Sequence, residues 1–186
     1  VIKSISNDPS VIGEDGVYRH TGVAKVFTSE KAAIKAIKTR GIEAGDIIVV
    51  IGCGTSGTGM EEIYQLTSAL KYLHFGKHVS LITDARFSGV STGACIGHVG
   101  PEALDNGQIG KLHDDDLIEI VVDCLNMVGS VHFVETENNR VSLEEATKLL
   151  EACSPHPDLS DDTCLWLHSN LQVVVLGAEV CMIQTE

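Results

Sequence analysis

The apolar positions of this chain fall into runs of different period, and each period predicts its own kind of element. The unbroken run IIVVI at residues 47–51 has the β-branched composition and two-sided apolar character of a strand buried on both faces. Residues 23–27 and 78–83 predict further strands. In TSEKAAIKAIKTRG, Thr28 or Ser29 can cap a helix whose stripe is Ala33, Ile34 and Ile37 and whose stop is Gly41. Helical spacing returns at Met60, Ile63, Tyr64, Thr67, Leu70 and Leu73, with Glu61, Glu62, Gln65 and Lys71 on the polar side, and predicts a second helix from Met60 to a stop at Gly76.

Beyond the stretch LITDARFSGVSTGACIGHVGPEA, LDNGQIGKLHDDDLIEIVV mixes turn formers with short apolar runs and predicts a β-rich segment with strands at 117–122 and 131–134. Ser142 with Glu145 makes a capping box for a helix that buries Leu143, Ala146, Leu149 and Leu150. The proline- and acid-bearing residues 155–162 read as a linker.

Composition narrows the function. The 186 residues are 44 % apolar, enough for one domain with a sizeable core. A formal charge of −13 repels phosphate backbones and anionic membrane surfaces, which argues against nucleic-acid and membrane partners. The longest apolar runs are far too short to cross a bilayer, and VIKSISNDPS lacks the apolar core of a signal peptide. Six scattered cysteines without a CxxC pair or zinc-type spacing predict free thiols and a cytoplasmic protein. The chain starts at a valine inside a strand-like stretch, so a fragment of a longer protein is expected.

Three stretches carry candidate chemistry. Gly52-Cys-Gly54-Thr-Ser-Gly57 satisfies GxGxxG between a strand and a helix, and Asp84 ends the next strand as a ribose-binding acid would. Asp84 lies farther away than the usual roughly 20 residues, and a plain glycine-rich turn is the simpler reading. Glu61 and Glu62 suit a first helical turn, where acids are favoured, yet a carboxylate there can also hold a hard cation such as Mg²⁺. Ser88, just past a strand end, stands where α/β active sites gather and can act as nucleophile or base, although its frame is not GxSxG. His98 reads as a loop histidine and Cys95 as a small buried hydrophobe.

The motifs LITDARFSG and IGHVGPEA, preceded by SGTGMEE and TSAL, resemble the C-terminal domain of the dihydroxy-acid and phosphogluconate dehydratase family. DARFSGVSTGACIGHVGPEAL, DGVYRHTG and ALKYLHFGKHVSLITD are most similar to its sugar-acid branch, the xylonate dehydratases. The resemblance runs from about residue 1 to 164. It implies an α/β fold, a swivelling β-barrel-like domain with a mixed sheet and flanking helices, spanning residues 1–154, with 155–186 as linker and atypical tail.

It also implies a hydro-lyase that turns a 2,3-dihydroxy sugar acid such as xylonate into its 2-keto-3-deoxy acid. A larger N-terminal domain would supply an iron–sulfur cluster and most Mg²⁺ ligands, and the complete enzyme would be a homo-oligomer. This chain alone would be inactive and would bind neither cofactor stably. Mapped by motif, Ser88 is the base and Glu62 an Mg²⁺ ligand, while Arg86, Ser91 and Thr92 are placed to contact substrate; no cluster ligand is expected here. Val90 stands where some sugar-acid members carry a second hydroxyl. The tail after Trp166 departs from the glycine-rich family ending and suggests a truncated or out-of-frame gene end. A nucleotide-binding dehydrogenase using GCGTSG and a non-catalytic interaction domain are the alternatives.

Overall fold

The computed structural model describes residues 2–5, 11–88, 93–126, 128–136, 139–140, 148, 150 and 152–159. In chain order its elements are β1 (Ile2–Ser4), β2 (Val17–Phe27), α1 (Glu30–Lys38), β3 (Ile47–Val50), β4 (Glu62–Ile63), α2 (Gln65–Lys71), β5 (Ser80–Thr83), β6 (Arg86–Phe87), β7 (Ala94–Ile96), β8 (Leu117–Asp123), β9 (Val128–Thr136) and β10 (Asn139–Arg140). Short 3₁₀ turns occupy Gly76–His78, Ala103–Asp105 and Gln108–Lys111.

Eight strands form one mixed sheet in the order β1-β7-β5-β3-β2-β8-β9-β10. Strands β2, β3, β5 and β7 are parallel, and the remaining pairings in this sheet are antiparallel. The long β2 joins the two halves, pairing with β8 through residues 17–23 and with β3 through residues 24–27. The sheet curls until its ends approach: a Cβ on Gly129 of β9 would collide with Ile2 of β1. The expected α/β class with a barrel-like mixed sheet and flanking helices is what the chain forms.

Side chains alternate across this sheet with the period of two that a strand imposes. Ile47, Val49, Ile51, Ile82 and Ile96 point into the curl and meet Val26, Ile120 and Val122. Ile48, Val50, Leu81 and Cys95 point outward and are covered by Ala33 of α1 and Leu66 and Leu70 of α2. Each such isoleucine or valine contributes about 1.5–3 kcal/mol by leaving water. Both faces of IIVVI are therefore needed, which is why its pattern is apolar throughout.

Ser29 caps α1, its Oγ accepting from the Ala32 amide at 3.3 Å, and Gly41 closes the end by donating to the Ala36 carbonyl at 2.9 Å. The second helix differs from its expected span. It begins at Gln65 because Met60 adopts a left-handed φ of 69° and residues 62–63 are drawn into strand pairing with β6. Its first turn is capped from outside, by the buried Glu30 carboxylate accepting the Leu66 amide at 2.8 Å. Residues 103–105 and 108–111 form 3₁₀ turns, and the hairpin strands extend to 117–123 and 128–136. Of the helix expected after Ser142, Leu143, Ala146 and Leu149 lie outside the described residues, whereas Leu150 is buried in the core. His156, in the stretch read as linker, donates its amide to the Gly110 carbonyl at 2.8 Å, and Leu159 packs on the core.

Candidate active site

The carboxyl ends of β3 and β5 lie side by side, since Val50 pairs with Thr83, and both strands release their chains into the same space. Loops crowd there because parallel strands deliver their following residues to one edge. Three features build the site at this edge.

The first is Asp84, only 1 % exposed. Its carboxylate accepts the amides of Gly52 at 2.9 Å, Cys53 at 3.0 Å and Ala103 at 3.2 Å. Burial raises its pKa above the ordinary value, against the opposing pull of these three amides. The side chain is thus committed to joining three loops and is not presented to a ribose.

The second is the glycine-rich loop itself. Glu102 sits in it: Thr55 Oγ1 donates to Glu102 Oε1 at 2.6 Å and the Ser56 amide to Oε2 at 2.9 Å. Asp105 accepts the Ser56 hydroxyl at 3.0 Å. Any side chain on Gly54 would overlap the Glu102 carboxylate. The loop therefore behaves as an anion cradle, but the anion it holds belongs to this chain. The dinucleotide reading is corrected accordingly, because both groups it needs are already bonded internally.

The third is a two-stranded parallel pair, β4 with β6, in which Glu62 stands opposite Arg86 and Ile63 opposite Phe87. This pair brings the glutamate motif and the DARFS motif into register, with Ser88 one residue beyond β6. Arg86 Nη2 meets Glu62 Oε2 at 2.9 Å and its Nε donates to the Met60 carbonyl at 3.2 Å. Both side chains remain partly exposed, at 48 % and 38 %. An ion pair so exposed contributes about 1 kcal/mol or less, so it orients Glu62 more than it stabilises the fold. The expected Arg86 site residue is found at the edge, its guanidinium engaged with Glu62. Ser91 and Thr92 lie outside the described residues.

Across the edge, His98 has a left-handed φ of 50° and donates its amide to the Ala85 carbonyl at 2.9 Å, while Val99 donates to Thr83 at 3.2 Å. Partial desolvation and neighbouring positive charges, Arg86 among them, lower the His98 pKa. Cys53 is fully buried and its thiol is pushed up to about 12, first by burial and then by the nearby Glu61 and Asp84 charges. A thiol held so firmly protonated is a poor nucleophile.

Among the described residues no group of three or more His, Cys, Asp or Glu side chains is arranged to hold a metal ion. Among the described residues, Cys53 and Cys95 are buried in the helix-side core, Cys124 is half-buried and Cys153 is exposed, a donor set that does not fit an iron–sulfur cluster. Glu62 fits a hard cation as a single oxygen donor, exposed and held by an ion pair that a cation can replace. Sequence reasoning misses Glu102. Its only sequence mark is an acid just after the Gly100-Pro101 turn, which nothing local connects to a glycine loop far earlier in the chain.

Comparison with known proteins gives the chain a family and relatives. The family model described as dihydroxy-acid/6-phosphogluconate dehydratase C-terminal matches residues 4–156. The chain is 62 % identical to D-xylonate dehydratase YagF of Escherichia coli K12 over 172 residues, covering 89 % of this chain and 26 % of that protein. It is likewise 62 % identical to D-xylonate dehydratase YjhG of the same organism over 174 residues, 89 % of this chain and 27 % of that protein. Similarity to the dihydroxy-acid dehydratase of Solidesulfovibrio magneticus is 40 % over 154 residues, 80 % of this chain and 28 % of that protein. The chain thus spans about a quarter of the length of these relatives. With a family match over most of its length, the chain belongs to the dihydroxy-acid/6-phosphogluconate dehydratase family, as its C-terminal domain.

Proposed function

We propose that this chain is the part of a sugar-acid dehydratase that carries the base, in an enzyme converting a 2,3-dihydroxy sugar acid such as xylonate to its 2-keto-3-deoxy acid. The observation that carries the reading is the β4–β6 pair, which sets Glu62 and the DARFS motif against one another at the loop edge. Its support is the 62 % identity to two proteins named as D-xylonate dehydratases.

Dehydration of such an acid breaks the C2–H and C3–O bonds. The C2 proton goes to a base, the C3 hydroxyl leaves with a proton as water, and the enol formed between C2 and C3 tautomerises to the ketone. In this proposal Ser88 Oγ takes the C2 proton. A serine is too weak a base unless positive charge favours its alkoxide. A bound Mg²⁺ would supply that charge and polarise the substrate, with Glu62 as one of its oxygen ligands. Arg86 keeps Glu62 turned toward the edge, and its guanidinium, with Ser91 and Thr92, is proposed to meet the substrate carboxylate and hydroxyls. Other Mg²⁺ ligands, and the iron–sulfur cluster, belong to the rest of the longer protein.

The test joins this sequence to the remainder of a dehydratase and assays xylonate with Mg²⁺. Release of a 2-keto-3-deoxy acid, lost on S88A substitution, is the expected result; full turnover by S88A removes Ser88 from the base role.

A further inference from the structure

The GCGTSG loop and the HVGPEA segment are far apart in sequence and are locked together by side-chain carboxylates at the site edge. From their bonding we infer that Glu102 is a positioning residue for Glu62, acting through the glycine-rich loop that it fills; the inference rests on the dehydratase reading for its kinetic consequence only.

The connection can be followed bond by bond. Glu102 fixes Thr55 and Ser56 through both carboxylate oxygens, and its own carbonyl accepts the Gly107 amide at 2.8 Å. The loop so fixed presents the Gly54 carbonyl, which accepts the amides of Gly57 at 3.3 Å, Thr58 at 3.2 Å and Met60 at 3.0 Å. One residue earlier, the Cys53 carbonyl accepts the Glu61 amide at 3.0 Å and the Thr58 hydroxyl at 3.1 Å. These bonds hold Gly59 and Met60 left-handed, with φ of 78° and 69°. That conformation costs a residue with a side chain roughly 1–2 kcal/mol, so Met60 keeps it only while its surroundings enforce it. The reversal at Met60 is what sends residues 62–63 into β4, where Glu62 faces Arg86.

Without the carboxylate, the Ser56 amide loses its acceptor and the loop loses the group that Gly54 is shaped to receive. Met60 is then free to relax, and Glu62 leaves its register. The job is geometric: it requires hydrogen-bond acceptance at the loop, not negative charge. A glutamine amide can accept the Ser56 amide through its oxygen and donate to Thr55 Oγ1 through its nitrogen. E102Q should therefore restore what E102A loses, which a catalytic or metal-ligating carboxylate would not allow.

The test has two arms. In this chain, free of metal, amide hydrogen exchange is measured for Ser56 and for Met60 to Glu62, with the amides of the core strand β3, which should stay protected, as the internal reference. E102A should speed exchange at the site amides at least ~10-fold, and E102Q should keep them near the unsubstituted rate. Unchanged exchange in E102A, or equal acceleration in both variants, overturns the proposal. In the full-length dehydratase, E102A should lower kcat about 100-fold, as misplacement by roughly 1 Å does, with the sugar-acid KM little changed and E102Q near full activity. Loss of activity in E102Q equal to that in E102A would overturn the positioning role in favour of a charged one. Failure of the unsubstituted enzyme to dehydrate any sugar acid would sink the proposed function while leaving the exchange result to decide the role of Glu102.

Discussion

Two polar clusters sit at opposite ends of the same parallel strands, and their bonding separates display from structure. At the amino end, Ser80 Oγ is hydrogen-bonded to Tyr18 Oη at 2.9 Å and to His20 Nδ1, while His20 Nε2 meets the Gly45 carbonyl at 3.0 Å. These side chains bond to one another, and Ser80 and Tyr18 are buried. At the carboxyl end, the buried carboxylate of Asp84 is bonded to backbone amides and fixes the loops beside Glu62 and Arg86, which stay partly exposed, with the half-buried Ser88 just beyond β6. A serine beside a histidine is thus the structural cluster, and the serine with no GxSxG frame is at the edge proposed for chemistry. Burial separates them, not residue type: Ser80 is buried and Ser88 half-buried.

The largest expected effect breaks this contrast at the accessible end. Replacing Ser88 by alanine in the full-length dehydratase should lower turnover about 10²–10⁴-fold, the range for removing a general base. The thermal unfolding midpoint should stay within experimental scatter. A matching loss of stability would place Ser88 with the structural cluster instead.

Next in size is D84A, aimed at the support beneath the edge. Two buried amides, Cys53 and Ala103, and the partly buried Gly52 amide would lose their acceptor, and each unsatisfied buried donor costs about 1–3 kcal/mol. Urea unfolding should show a loss of about 3 kcal/mol or more, a deficit that no added ligand of the edge is needed to reveal. A loss under about 1 kcal/mol would mean that the three loops hold together without Asp84.

The strands and the first helix are legible in the sequence because their signals are local. Two-sided burial of IIVVI, the Ser29 cap and the Gly41 stop each act within one turn or one strand. The second helix is overextended by its pattern because Met60, Ile63 and Leu70 keep helical spacing, while the force that bends the chain at Met60 comes from the loop bonds to Gly54 and Cys53. Glu102 is invisible for the same reason: its role depends on contact with residues 54–56, and no periodicity records a contact across 47 positions. Asp84 stands out in the sequence, but only the fold shows that its lone pairs are engaged by amides.

A smaller effect sharpens the accessible end. E62Q in the full-length enzyme should raise the Mg²⁺ concentration for half-maximal activity about 10-fold, since a neutral amide is a poorer oxygen donor to a hard cation. The ion pair with Arg86 is also lost, but its exposure keeps the stability change to about 1 kcal/mol or less. An unchanged Mg²⁺ dependence would remove Glu62 from the ligand set.

The smallest effect belongs to the closed cluster and appears as pH dependence. Burial lowers the His20 pKa below its ordinary 6.5, against the raising influence of the Gly45 carbonyl and Asp46, with His78 nearby adding to the lowering. The folded chain therefore resists protonation that the unfolded chain accepts. Above about pH 6.5 both states are neutral at His20 and the residue adds no pH dependence. As pH falls below that value the unfolded state binds the proton first, and stability declines by up to about 1.4 kcal/mol per pH unit until the folded pKa is reached. H20Q keeps a donor for the Gly45 carbonyl and cannot titrate, so its stability should fall less steeply between about pH 6.5 and 5 in urea unfolding, at the cost of about 1 kcal/mol at neutral pH. Dehydratase activity at neutral pH should not change. Parallel slopes for the two proteins would show that His20 titrates alike in both states, and a loss of activity in H20Q would join the two ends of the strands that the bonding keeps apart.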